Sequence, residues 1–187
     1  MELRREIEER RRAEEEVRFM AYHDALTGLA NRELFSLRLQ EAIAANDSVA
    51  VLFMDLDGFK SVNDTLGHDT GDLLLQEIAR RISGEVGDGD TVARMGGDEF
   101  TVVIPSPASP EALEETAAGI LEGISVPARL SGRDISVTAS IGISIYPDDG
   151  VTVQDLMKHA DIAMYAAKEQ GKNRYCFKSA LSGKIRG

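Results

Sequence analysis

The chain reads as an α/β sandwich built on a mixed central sheet, and three observations carry that reading. Apolar runs with strand character alternate along the chain with segments of helical periodicity. One run, Val49 to Met54, is continuously apolar between Asn46-Asp47-Ser48 and Gly58, as a strand buried on both faces requires. Two others, Thr91 to Met95 and Phe100 to Ile104, are separated only by Gly96-Gly97-Asp98-Glu99. They predict a hairpin, and a hairpin puts an antiparallel pair into the sheet.

The elements follow in order. Glu2 to Arg18 is nearly all Glu and Arg and is expected to be helical, with Leu3, Ile7, Val17 and Ala21 at spacings that allow a short heptad seam interrupted by Arg10 and Glu14. So few heptads fit a solvated helix equally well. A helix is expected from Arg32 to Ala45, then the strand ending at Asp55, then helices from Phe59 to Ser83 broken at Gly67, then the hairpin. Ser109-Pro110-Glu111 opens a helix running through Ile124, with proline in its first turn. Asp134 to Tyr146 alternates as one long strand, Asp155 to Gln170 is helical, and Arg174 to Lys178 is a final strand.

Composition narrows the function. At 187 residues with a formal charge of −11, the chain is large enough for a substantial core. It lacks the basic surface that general nucleic-acid binding needs. An anionic ligand would therefore depend on metal and local lysines. Cys176 is the only cysteine, which excludes a disulfide framework and fits a reducing, cytoplasmic compartment; its strand context predicts burial. No apolar run approaches membrane-spanning length, so no membrane contact is expected of this segment.

The chemistry-bearing residues gather at two strand ends. Gly96 and Gly97 supply the positive φ of a tight turn and let a ligand approach the backbone, and Asp98 and Glu99 put acid at its tip. By itself this is also what a solvated hairpin looks like. Asp55 is harder to explain away, because an acid still inside a buried strand has no local reason to be there. Beside the hairpin tip it offers oxygen ligands to a hard divalent cation. Asp57 is read as a cap for the next helix. A calcium loop is disfavoured, since the glycine of Asp55-Leu56-Asp57-Gly58 comes too early and no glutamate closes twelve residues. Farther on, Asp72 sits where a helix N-cap is expected. Asn63 is unfavourable within a helix unless its side chain finds a partner, and His68 follows Gly67 as a structural turn residue.

Four segments in this order resemble the GGDEF-domain diguanylate cyclases: Asp24-Ala25-Leu26-Thr27-Gly28-Leu29-Ala30-Asn31-Arg32, the stretch from Asp55 to Asp72, Gly96-Gly97-Asp98-Glu99-Phe100, and Asp161 to Arg174. The likeness covers Tyr22 to Phe177. It implies a palm-like, ferredoxin-related nucleotidyl cyclase core. It also implies condensation of two GTP into cyclic di-GMP and two pyrophosphates, by attack of a ribose 3′-hydroxyl on an α-phosphorus. Two Mg²⁺ per active site, or Mn²⁺ in their place, would be held by Asp55, Asp98, Glu99 and the Leu56 carbonyl, with Asp98 or Glu99 assisting proton removal. The N–H groups of Gly58 and Phe59, with Lys60, would hold phosphate; Gly96 and Gly97 would admit the nucleotide. Asp72, Asn63 and His68 would read guanine. Lys168 and Lys172, one helical turn apart, would reach the triphosphate, although an amphipathic helix with a basic solvated end has the same pattern.

The resemblance also organises the chain. Residues 1–21 become a signalling helix or coiled-coil stalk, 22–178 the catalytic domain and 179–187 a tail or linker. Turnover is expected to need a homodimer, with a sensor domain upstream, an EAL domain downstream, and membrane anchoring of the full-length protein only through segments outside this chain. One departure stands out: relatives carry Arg-x-x-Asp for product binding, where this chain has Gly87-Asp88-Gly89-Asp90. A second function class is a silent GTP-binding module regulating an attached EAL domain, and a third is a dimerisation scaffold, which explains none of the site residues.

Overall fold

The computed structural model describes residues 2–182. Its elements are α1 (Glu2–Tyr22), α2 (Arg32–Ala45), β1 (Val49–Asp57), α3 (Phe59–Leu66), α4 (His68–Glu85), β2 (Thr91–Gly96), β3 (Glu99–Pro105), α5 (Pro110–Ser125), β4 (Ala128–Leu130), β5 (Arg133–Ile135), β6 (Thr138–Tyr146), α6 (Val153–Glu169), β7 (Arg174–Phe177) and α7 (Lys178–Ser182). Five strands form a sheet in the order β2-β3-β1-β6-β7. All neighbours are antiparallel except β6 and β7, which run parallel. The mixed α/β sandwich expected from the sequence is present.

The central place of β1 explains its composition. Ala50, Leu52, Met54 and Leu56 pack with Leu74, Leu75, Ile78, Leu113 and Ile120 of α4 and α5. Val49, Val51 and Phe53 pack on the other face with Phe35 and Leu39 of α2 and Leu156, Ala160 and Met164 of α6. Because side chains alternate with period two, Asp55 and Asp57 continue the second row and emerge toward the C-terminal end of α6. That helix lies unusually close to the sheet: a Cβ on Gly142 of β6 would sit 1.9 Å from the Ala160 carbonyl oxygen. Glycine is what lets the middle of α6, at Ala160 to Met164, approach β6.

Several expectations are corrected. The stretch from Asp134 to Tyr146 is two strands, because β5 folds back on β4 through Ser131 (φ 48°) and Gly132 (φ 76°) before β6 begins. Two successive positive φ values are the signature of a tight hairpin turn that Ser-Gly can supply. Helix α4 starts at His68 with Gly67 at its N-cap, so His68 is helical and Asp72 lies one turn inside, which removes capping as its explanation. Gly58, at φ 85°, takes the cap position of α3 without any side-chain cap bond; Asp57 is not a cap. Lys172 lies beyond the end of α6 at φ 61°, so it does not share a helical face with Lys168. Cys176 is half-buried, its Sγ 3.7 Å from Gln170 Oε1.

Helix α1 is exposed from Arg4 to Tyr22, with Ile7, Val17, Phe19 and Met20 all at least half accessible. The Leu3 side chain and the tail beyond Ser182 lie outside the described residues. No helix among those described is long and apolar enough to cross a membrane.

Candidate active site

The acidic centre is assembled by strand register. Asp55 stands opposite Glu99 of β3 and opposite Ser140 of β6. The Leu56 N–H donates to the Asp98 carbonyl at 3.2 Å, which ties the hairpin tip to the end of β1. Lys168, in the last turn of α6, donates its Nζ to Asp55 Oδ2. Asp55 Oδ1 is buried and has no hydrogen-bond partner.

This crowding changes the acids. Burial, reinforced by the hydrogen bond and charge of Asp55, pushes the Asp98 carboxyl up to about 6, with the Lys168 ammonium opposing it. Glu99 is raised by burial and by the charges of Asp55 and Asp161, against Arg32 and Lys168. For Lys168, burial acts downward, but the bond and charge of Asp55, with Asp57 and Asp98 behind it, hold its value above the ordinary range. An orphaned carboxylate oxygen beside two acids that repel one another is what a hard cation with oxygen ligands would relieve. The residues fit such a group as a sparse set. No three His, Cys, Asp or Glu side chains converge on one ion position among the described residues, so Asp55 and Asp98 would share the ion with backbone and nucleotide oxygens.

The hairpin tip is braced by a segment whose role the sequence did not reveal. Gly96 and Gly97 adopt φ 133° and 53°. Arg94 Nε donates to the Gly97 carbonyl at 2.9 Å, and its Nη1 donates to Asp24 Oδ1 at 3.0 Å. Asp24 also accepts from the N–H and hydroxyl of Thr27. Burial raises the Asp24 carboxyl, but these bonds outweigh it and hold it below the usual range. The Asp24-to-Arg32 motif is thus a buttress: it grips Arg94, and Arg94 grips the turn.

The other end of the site lies on α3 and α4. Gly58 and Phe59 begin α3, whose first N–H groups are free of intrahelical partners; the Phe59 ring is core and Lys60 is exposed. Asn63 Oδ1 is buried without a hydrogen-bond partner. A Cβ on Gly71 would fall 1.8 Å from that oxygen, so Gly71 is the reason α4 can cross α3 there. The next residue, Asp72, projects from α4 as an exposed acid, and His68 is exposed one turn earlier. Gly71, Asp24 and Arg94 are the site-building residues that sequence reasoning passed over. Gly71 left a trace, since a glycine inside a helix needs a packing reason.

Acids collected at the ends of neighbouring strands, with a lysine behind them and a helix N-terminus beside them, are the equipment of metal-assisted phosphoryl chemistry. They place the fold in the class of palm-type nucleotidyl-transfer domains. Residues 21–174 match the family model for the diguanylate cyclase GGDEF domain, and the chain belongs to that family. It is 51% identical over 172 residues to MucR of Pseudomonas aeruginosa, named as a bifunctional diguanylate cyclase and cyclic di-GMP phosphodiesterase, covering 89% of this chain and 25% of MucR. The chain therefore spans about a quarter of that relative. The crystal structure of the GGDEF domain of TpbB (YfiN) from P. aeruginosa superposes with a TM-score of 0.78 at 41% identity, covering 81% of this chain and 97% of that one. The coiled coil and GGDEF domain of DgcB from Caulobacter crescentus, solved with c-di-GMP, gives a TM-score of 0.83 at 31% identity over 94% of this chain and 95% of that one. Members of the family are metal-dependent.

Proposed function

We propose that this chain is a diguanylate cyclase domain that joins two GTP molecules into cyclic di-GMP with release of two pyrophosphates. The observation that supports it most is the end of β1, where Asp55 keeps one oxygen unpartnered and the other on Lys168, against the raised Asp98. A scaffold would have no use for such unrelieved crowding.

The base is read at the α3–α4 crossing. Guanine presents two adjacent donors on its pairing edge, which the Asp72 carboxylate matches and adenine does not offer. The Asn63 side chain, held against Gly71, adds a further polar contact, with His68 at the rim. Phosphate oxygens lie against the N–H groups of Gly58 and Phe59 at the start of α3, near Lys60. The glycines of the hairpin leave room for the sugar and α-phosphate, and Lys168 and Lys172 face the triphosphate.

Two Mg²⁺ ions would be held between them by Asp55, Asp98, Glu99 and the Leu56 carbonyl, with no more than two acidic side chains on either ion, and would supply charge neutralisation at the α-phosphate and a more acidic attacking hydroxyl. Asp98 or Glu99 assists removal of the ribose 3′-hydroxyl proton. Lys168 leaves Asp55 for the phosphates as the nucleotide enters. Its ammonium then stabilises the departing pyrophosphate.

One chain has one base site and one acid cluster, and the reaction joins two nucleotides, so turnover takes two chains. Helix α1 is the stalk that brings them together, raising effective concentration, with residues 22–178 as the catalytic unit. The purified chain incubated with GTP and Mg²⁺, its products resolved by anion-exchange chromatography, tests the proposal. Cyclic di-GMP and pyrophosphate in a one-to-two ratio are expected. GTP binding without product would give the site to the regulatory reading instead.

A further inference from the structure

Asp57 follows Asp55 on the same face of β1, yet the structure uses it differently. Its two oxygens are already taken. Oδ2 accepts the Thr138 hydroxyl at 2.8 Å and the Asn173 N–H at 3.2 Å, and Oδ1 accepts the Ser140 hydroxyl at 2.9 Å. Thr138 and Ser140 belong to the neighbouring strand β6, while Asn173 lies in the turn that leaves α6 and enters β7. A carboxylate holding three donors from two elements has little capacity left for a cation.

The turn it reaches is unusual. Gly171, Lys172 and Asn173 all have positive φ, at 117°, 61° and 46°, and the last two are not glycine. Residues in that region persist only where their surroundings fix them. Here the Gly171 N–H donates to the Lys168 carbonyl at 3.2 Å and the Lys172 N–H to the Ala167 carbonyl at 3.1 Å. Those bonds hold the turn to α6. The Asn173 N–H, by contrast, is held from β1, by Asp57. Arg174, the next residue, pairs with Ser140 in the parallel β6–β7 ladder. Asp57 therefore joins the end of β1, the start of β6 and the turn that carries Lys172, whose side chain is exposed.

We propose that Asp57 is a positioning residue: through Asn173 it locks the left-handed turn that presents the Lys172 ammonium to the nucleotide's triphosphate. The inference rests on the cyclase reading above, and goes beyond it by giving the acid next to Asp55 an architectural task.

The chemistry separates this role from a ligand role. In Asp57→Asn the amide oxygen keeps Thr138 and Asn173, and the amide N–H₂ donates to Ser140, whose hydroxyl can turn to accept. All three links survive without the charge. In Asp57→Ala they are all lost. A cation ligand would be lost in both.

The test combines two measurements on the full chain. Amide hydrogen exchange at Asn173, without nucleotide, reads the lock itself. The affinity for 3′-deoxy-GTP, which has no attacking hydroxyl and stays intact, reads its use, with guanosine in competition as the control for the base site. Asp57→Ala is expected to speed exchange at Asn173 at least about tenfold and to weaken 3′-deoxy-GTP about tenfold, with guanosine within about twofold of wild type. Asp57→Asn is expected to stay within about twofold in all three. Should Asp57→Ala fail to fold by its thermal transition, the double variant Thr138→Val/Ser140→Ala, which loosens Asp57 without deleting it, is expected to weaken 3′-deoxy-GTP about threefold. The assignment is overturned if the folded variant binds 3′-deoxy-GTP as wild type does, or if Asp57→Asn is as impaired as Asp57→Ala. It is overturned as well if the double variant shows no loss. A wild-type chain that binds no 3′-deoxy-GTP instead defeats the cyclase reading, and it is told apart because the fault then appears before any substitution.

Discussion

The two ends of the site are built on opposite principles. At the β1 end the functional groups are partly buried and held against one another: Lys168 and Asp55 expose 29% and 16% of their side chains, and Asp98 is lifted toward neutrality first by burial and then by Asp55. At the α3–α4 end, Asp72, His68 and Lys60 are exposed, and what is buried there is the Asn63 oxygen under Gly71. The first end stores electrostatic conflict that a cation and a phosphate would release. The second stores almost none and depends on shape. Substitutions should therefore divide: those at the acid end change stability and turnover together, and those at the base end change selectivity alone.

The largest effect is expected at the acid end. Asp98→Ala and Asp55→Ala should each lower the rate of cyclic di-GMP formation at least about a hundredfold, since losing one preorganised electrostatic group costs about 2.7 to 4 kcal/mol. Both proteins should fold. A folded variant with near wild-type rates would remove these acids from the chemistry.

Asp72→Ala carries the next largest effect and sharpens the contrast. A site that pairs with a donor edge rejects the wrong base strongly, so the GTP-over-ATP preference should fall at least about tenfold, measured as a ratio of kcat/KM values. The melting temperature should hardly move, because Asp72 is exposed and caps nothing. A stability loss with unchanged selectivity would return Asp72 to a structural role.

How much of this was legible in the sequence follows the same division. The acid end could be read because β1 is apolar on both faces, so that an acid within its run stands out. The hairpin glycines could be read because turn chemistry is local. Asp57 read as a helix cap, and capping stood as the local alternative for Asp72, because capping depends on where a helix starts, and boundaries are poorly marked when Gly67 and Gly58 take the cap positions themselves. The Asp24–Arg94 brace was invisible for a different reason: its partners are 70 residues apart, and no local pattern records such a meeting. Lys172 looked helical because Ala166 to Lys172 has no strong breaker before Gly171.

A third prediction uses the stored conflict directly, in metal-free protein with a chelator. Removing the Lys168 ammonium leaves Asp55 unpaired beside Asp98, so Lys168→Met should lower unfolding free energy by about 1 to 2 kcal/mol, the range of a charge-assisted hydrogen bond discounted for partial exposure. Asp98→Asn should do the reverse. An acid whose folded value, about 6, lies above its unfolded value of 3.8 penalises folding once it is ionised. The gain from Asp98→Asn should therefore be full above about pH 6, shrink as pH falls through that value and vanish near pH 4. Chemical denaturation across that range reads both. A stabilisation by Asp98→Asn that is independent of pH would mean that the crowding of acids is not its source.

The smallest effect lies away from both ends, at Gly87, and concerns feedback by the product. The family resemblance places an arginine there to bind cyclic di-GMP, and glycine can neither contact a phosphate nor stack on a base. Here the Gly87 N–H donates to Asp90 Oδ2 at 2.8 Å and its carbonyl accepts from the Asp90 N–H at 3.0 Å, so the acid of the motif is engaged in its own turn. Micromolar cyclic di-GMP should change the initial rate by less than about twofold, a change worth under ~0.4 kcal/mol. The turn would accept a side chain, since a Cβ on Gly87 would meet nothing closer than Asp90 Oδ2 at 3.4 Å. Gly87→Arg should therefore fold normally and acquire inhibition, with Asp90→Ala abolishing the gain. Strong inhibition of the natural sequence that survives Asp90→Ala would show that product binds another surface. Inhibition still absent in Gly87→Arg would show that the turn alone does not make the site, and that the second chain must supply the rest.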